Sequence, residues 1–431
     1  MPYGYLVSTV LLTLGTLAAL VPPPYRRPVV GPVGFVLGLV VNELPFLALT
    51  WLAASTVLVF AQGDVGSAGS WAAVGLAVLT AAGLAVVARR ARTAPGIVRA
   101  AVADALGPAA AGPVARRTPW PSILLRPLWV HRRDVARTRN LPYGDPGRRH
   151  LLDVYRPRAA RSPAPVVVYF HGGGYFSGHK NREGRLMLYR LAARGFVCVS
   201  ANYRLRPHAG FADHYADVER VLAWVDANIA GHGGDPSRVI VAGSSAGAHL
   251  AAIAALSSNP PAELSADDGR DHTVAGETGP GRGGPGAAEA GSAKVSSAQP
   301  HTAGTGTRVL AAVCLYGYYG YYYGMSPSDR PVSSPLGHPA EGAPPVFVAH
   351  GDRDTLVSVD GAREFVEHLQ TASPSPVVYA ELPGAQHAFD LYRSVRHEAV
   401  VDGVEAFVSW VVADAEEPAA QRGTTSPAWP A

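Results

Sequence analysis

From Arg148 onward the chain alternates short apolar runs with helical patterns, and this alternation restricts its possible folds more than any other feature. The runs at 165–170 (PVVVYF) and 196–201 (FVCVSA) are continuous rather than alternating. That is what strands buried on both faces of a parallel sheet require. Strands are expected at 151–155, 165–170, 196–203, 238–242, 309–315, 345–350 and 377–382. Helices are expected at 182–194, 211–229, 246–255, 359–370 and 396–412. Strands alternating with helices indicate an α/β domain with a mostly parallel sheet and flanking helices. Only two cysteines are present, which excludes a disulfide scaffold or a cysteine-built zinc site. Cys198 and Cys314 fall inside expected strands and read as small buried hydrophobes.

Within this frame, Gly243-Ser244-Ser245-Ala246-Gly247 joins the expected strand RVIVA to the expected helix AHLAAIAAL. A serine on a sharp strand-to-helix turn is exposed at the sheet edge, and the helix N-terminus favours negative charge beside it. Ser245 is therefore the candidate nucleophile, with Ser244 on the other side of the turn. His171-Gly172-Gly173-Gly174 follows its own strand 74 residues before Ser245. Acyl transfer places negative charge on a former carbonyl oxygen, and glycines let backbone N–H groups approach it closely. Gly172, Gly173 and Ala246 are the expected oxyanion donors, while His171 fixes the loop. A serine hydroxyl also needs a base, and the base an orienting acid. After the expected strand 345–350 come Asp352 and Asp354. Asp354 has the better position over the sheet edge, and Asp352 is the candidate for capping the turn. His387 follows the last expected strand, 33 residues beyond Asp354. His397 falls on the final helix. Acyl transfer by this set needs no metal and no organic cofactor.

These motifs carry a resemblance. The region from about Leu141 to Val412 resembles an α/β-hydrolase of the bacterial hormone-sensitive-lipase-like esterase group. The signatures H-G-G-G, N-Y-R-L, D-P-S-R-V-I-V-A-G-S-S-A-G-A-H-L-A, H-G-D-R-D and H-A-F follow one another in that group's order. The resemblance implies a serine carboxylesterase or lipase that hydrolyses carboxylic esters through an acyl-enzyme on Ser245. It also implies structural roles for Arg204 and Asp217. An acyltransferase or deacetylase acting on a lipid or glycan, and a non-catalytic membrane protein with a hydrolase-like shell, are the alternatives. The group's usual Y-R-L-A-P-E reads Y-R-L-R-P-H here, and its N-terminal cap would have to come from residues 95–140. Membrane segments joined to such a domain resemble the layout of membrane-associated actinobacterial lipases and esterases.

The first ninety residues hold three apolar runs, at 5–21, 29–61 and 71–87; only the middle one is interrupted, by Asn42, Glu43 and Pro45. A spanning helix takes roughly 17–25 apolar residues. The middle run supplies one span, best placed at 44–61, or a re-entrant piece plus a span. No basic stretch precedes the first run, which makes it a poor signal peptide. Arg26 and Arg27 follow the first run, Asp64 lies between the second and third, and Arg89, Arg90 and Arg92 follow the third. Three spans with an outside N-terminus and a cytoplasmic catalytic domain put every basic cluster inside.

The overall charge of +4 hides unlike parts: residues 1–139 carry 13 basic and 4 acidic side chains. That favours a membrane-proximal basic region over nucleic-acid binding. The partners expected are a small-molecule or lipid ester and the membrane, with no nucleic acid. The expected layout is a transmembrane region 1–88, a basic juxtamembrane or cap segment 89–140 and a catalytic domain 141–415. Residues 95–106 have a helical apolar pattern suited either to anionic headgroups or to a solvated linker. The stretch 258–308 is rich in Gly, Ala, Ser, Pro and Thr, without hydrophobic periodicity. It is expected to be a disordered insertion, and 416–431 a disordered tail. The tyrosine-rich stretch 316–323 either lines a substrate pocket or packs as an aromatic surface loop.

Overall fold

The computed structural model describes residues 3–21, 30–115, 118–159, 163–258 and 308–416. The expected insertion and tail, as well as Arg26 and Arg27, lie outside these residues apart from Ser258, Arg308 and Glu416 at their margins.

Five helices come first: α1 (Tyr3–Leu20), α2 (Val30–Glu43), α3 (Pro45–Ala61), α4 (Ala68–Ala91) and α5 (Ala94–Leu106). Two short helices follow, α6 (Pro108–Ala111) and α7 (Trp120–Leu125). By length and composition α1 and the α4–α5 run could each cross a membrane. The bent pair α2–α3 makes a third candidate if counted as one span. The bend is 81°. Its cause is local, because Pro45 has no N–H to continue the helix and disfavours helical backbone at the residue before it. Leu44 accordingly leaves the helical region, at φ −119° and ψ 45°. At the other end of α3 the chain turns back into α4, whose N-terminus is closed by a reciprocal Ser67–Ser70 capping box.

The strands are β1 (Val135–Pro142), β2 (Leu151–Pro157), β3 (Ala164–Phe170), β4 (Val197–Ala201), β5 (Gly234–Ser244), β6 (Val309–Leu315), β7 (Val346–Gly351) and β8 (Val377–Leu382). They form one sheet in the order β1-β2-β4-β3-β5-β6-β7-β8. The β1–β2 and β2–β4 pairs are antiparallel, and all the others are parallel. The connecting helices are α8 (Arg185–Ala193), α9 (Phe211–Asn228), α10 (Ala246–Ser257), α11 (Val359–Ala372) and α12 (Val395–Glu416). Alternate residues of β3 feed two separate cores. Val166, Val168 and Phe170 join α9, α10 and α11 on one face; Val167 and Tyr169 join α5, α8 and α12 on the other.

Two expectations about the middle of the chain change. The apolar stripe of 95–106 is turned onto the sheet domain: Ala94, Val98 and Val102 are fully buried against the core beside β8 and α12. That stripe is thus covered by protein rather than by headgroups. The edge strand β1 was not expected, and it runs across the boundary drawn at residue 140.

The apolar helices are bolted to the sheet domain at one end of the bundle. Arg353, in the loop after β7, donates to the Leu20 carbonyl at the C-terminus of α1. Arg396, on α12, donates to the Asn42 carbonyl at 2.8 Å and lies 3.3 Å from a Glu43 carboxylate oxygen. Ser394 donates to the other Glu43 oxygen at 2.8 Å. Helix C-termini leave carbonyls unsatisfied and attract cations, so arginines suit both places. Arg396 is completely buried. A buried charge of this kind needs a partner in place, and Glu43 is that partner.

Candidate active site

Ser245 sits between the end of β5 and the first residue of α10, with φ +54° and ψ −120°. Left-handed backbone at a non-glycine residue persists only where its surroundings enforce it. They do so here: the Ser245 N–H donates to the Leu315 carbonyl at 2.9 Å. The flanking glycines are sterically required. A Cβ on Gly243 would lie 2.2 Å from the Gly247 carbonyl, and one on Gly247 would lie 2.0 Å from the Phe170 oxygen.

His387 comes from the loop after β8 and lies between two groups. Its Nε2 is 2.9 Å from Ser245 Oγ, and its Nδ1 is 2.6 Å from Asp354 Oδ2. Asp354 stands three residues beyond β7, and its other oxygen accepts the N–H groups of Leu356 and Val357, both at 2.8 Å. Burial would raise its pKa, but His387 and His350 hold the carboxyl well below the usual range. A carboxylate so held stays charged at neutral pH and fixes the imidazole tautomer, with the proton on Nδ1 and a free lone pair on Nε2. The competing acid is turned away: Asp352 accepts the N–H of Gly384 at 2.6 Å, which ties the β7 loop to the His387 loop. His397 is buried at the start of α12.

The loop after β3 closes over the same spot. A Cβ on Gly172 would sit 3.0 Å from Ser245 Cβ, and Gly173 has φ +118°. The backbone therefore approaches Ser245 as closely as the chain permits, and only glycine serves there. His171 is fully buried, its pKa pushed down to about 3 chiefly by burial, so it is neutral. Its Nδ1 lies 2.7 Å from the Gly172 carbonyl, its own carbonyl accepts from Tyr203 at 2.7 Å, and its ring stacks on Tyr203. These contacts stiffen the loop. Ala246, the third expected oxyanion donor, opens α10 directly after Ser245.

Beneath this layer is a polar cluster that the sequence reading did not anticipate. Ser244 points inward, accepting from Tyr169 at 2.8 Å and donating to Asp390 at 3.0 Å. Asp390 also accepts from Tyr316. Burial, reinforced by the charge of Glu183, pushes the Asp390 carboxyl up to about 6. Tyr316 in turn presents its ring to His387, with centroids 4.6 Å apart at 65°. The tyrosine-rich stretch thus divides. Tyr316 packs against the site, Tyr319 stacks on Phe365 in the core, and Tyr323 reaches the Gly174 carbonyl at the rim. On another side of His387 stands Phe35 of α2, at 6.2 Å and 74°. The acid three residues past the histidine, in H-A-F-D, was the available signal for Asp390. Arg204 binds Asp217 and Asp213 through its guanidinium, away from Ser245, and so holds the β4–α9 connection. Among the described residues no group of three or more His, Cys, Asp or Glu side chains is placed to hold a metal ion.

Comparison with known proteins shows similarity to esterases. Residues 152–274 match the BD-FAE family. The chain is 34% identical over 413 residues to a probable carboxylic ester hydrolase, LipM, of Mycobacterium tuberculosis, covering 88% of this chain and 86% of that one. Esterase LipC of the same organism is 34% identical over 325 residues, with 69% and 70% covered. Esterase LipQ is 34% identical over 302 residues, with 64% and 63% covered.

Proposed function

Because this chain belongs to the α/β-hydrolase family of serine carboxylesterases, we propose that Ser245, His387 and Asp354 are its nucleophile, general base and orienting acid. The observation that carries the reading is the single imidazole within hydrogen-bond distance of both Ser245 Oγ and Asp354. His387 Nε2 takes the hydroxyl proton as Ser245 Oγ attacks the ester carbonyl. The N–H groups of Gly172, Gly173 and Ala246 hold the resulting oxyanion. The imidazolium, balanced by Asp354, gives its proton to the leaving alcohol. Water then repeats both steps on the acyl-enzyme.

An acyl-enzyme makes a test available. With methanol present, the acid and methyl ester formed from p-nitrophenyl butyrate and from phenyl butyrate should appear in the same ratio, because both pass through one butyryl-Ser245. A ratio that changes with the leaving group would contradict the mechanism.

The apolar helices support membrane anchoring through α1, α3 and α4, with α2 lying along the membrane surface against the sheet domain. The ends bearing Leu20, Pro45 and Arg90 lie together on the side of the sheet domain, and Asp64 lies beyond the far end of α3. Arg89, Arg90 and Arg92 then share a side with the catalytic domain, which the positive-inside rule makes cytoplasmic. The full-length chain should stay with membranes through a high-salt wash, since spans do not depend on screened charge. Reporters fused after residue 88 should read cytoplasm. Release by salt, or an external reporter signal, would overturn this placement and leave the esterase assignment intact.

A further inference from the structure

Helix α2 reaches the active site itself, and the chemistry there does not otherwise need it. Phe35 and Glu43 lie eight residues apart on α2, about 12 Å along a helix axis. Both touch the sheet domain, Phe35 at His387 and Glu43 at Arg396 and Ser394. Two contacts that far apart lay the helix across the site instead of letting it leave end-on. Arg396 ties the same clamp to the catalytic loop, because its guanidinium also donates to the Pro383 carbonyl at 3.2 Å, four residues before His387. Asn42 completes the clamp, donating to Glu43 at 3.2 Å. Polar residues in an otherwise apolar run are expensive to bury unless paired. Here their pairing fixes the helix in rotation and height over the active site.

We propose that Phe35 is a specificity-determining residue for the alcohol portion of the ester, and that the Asn42–Glu43 break, clamped by Arg396 and Ser394, positions it. The inference rests on the reading of Ser245 and His387 as the catalytic pair. A general acid must lie within roughly 3 Å of the oxygen it protonates. The leaving alcohol is therefore beside His387, and the half-buried Phe35 ring is a wall next to it. The ligand class that suits this wall is an ester of an apolar, extended alcohol, presented from the side where the apolar helices stand.

The test uses the full-length chain in detergent micelles and two ester series. One keeps acetate and lengthens the alcohol from ethyl to octyl. The other keeps p-nitrophenol and lengthens the acyl chain from acetyl to octanoyl. Phe35→Ala should lower kcat/KM for octyl acetate about tenfold more than for ethyl acetate, mainly through KM. The profile along the acyl series should keep its shape. Phe35→Leu, which restores an apolar wall, should recover most of the octyl acetate activity, and a thermal melt matching the parent's shows that each variant is folded. Equal losses on all esters, a loss that follows acyl length, or no loss at all would overturn the assignment. A parent chain without Ser245-dependent hydrolysis of either series would instead overturn the catalytic reading on which it rests.

Discussion

Replacing Ser245 by alanine should lower kcat for a simple ester by about 10⁵–10⁶-fold while leaving the fold intact. The size follows from the arrangement. With no Oγ, His387 has no hydroxyl to deprotonate, and only binding and the oxyanion loop remain to assist water. Alanine keeps the Cβ and makes no new contact in the turn. Ser244→Ala is the control on the same turn. It leaves the Ser245–His387 contact untouched but removes one hydrogen-bond partner from each of Tyr169 and Asp390. Its effect should therefore be on stability, about 1–3 kcal/mol, with much of the turnover retained. Steady-state kinetics and thermal melts of both variants check this pair. If the two variants exchanged behaviour, the turn would present the wrong serine.

The second large effect is expected at Asp354. Asp354→Asn should lower kcat by about 10⁴-fold, because the amide favours the wrong imidazole tautomer and leaves the imidazolium unbalanced. The same change removes a pH-dependent contribution to stability. A carboxyl held below its usual range stabilises the fold above its unfolded pKa, about 4. That contribution is lost as pH falls through the lower folded value. The variant should therefore show a smaller loss of melting temperature on acidification. Asp352→Asn keeps an oxygen for the Gly384 N–H and should change kcat only a few-fold. Equal losses at the two aspartates would leave the orienting acid unassigned.

The difference between what could and could not be read in the sequence is physical. The loops carrying Ser245, Gly172, Asp354 and His387 each follow a short apolar run, and a parallel sheet gathers such strand ends along one edge. Local signals plus that rule therefore suffice to bring these residues together. The strand β1 gave no such signal, because VARTRNLP is an edge strand, half exposed and rich in polar side chains. The stripe at 95–106 was visible as a helix, but a stripe does not say what covers it, and here β8 and α12 do. Asn42 and Glu43 stood out as polar residues in an apolar run. Their partners, Ser394 and Arg396, lie some 350 residues later, a distance over which one sequence shows no pairing. Phe35 had no distinguishing feature at all, since its meaning comes only from the clamp that turns α2 toward His387.

The central claim, that one serine on this turn becomes covalently acylated, is tested most directly by trapping. Full-length protein treated with a p-nitrophenyl alkylphosphonate should gain one phosphonyl group per chain, lose its esterase activity in proportion, and yield the modified peptide at Ser245. Ser245→Ala should gain none. A stoichiometric adduct on Ser244 or on any other residue, or full inactivation with Ser245 unmodified, would contradict the account.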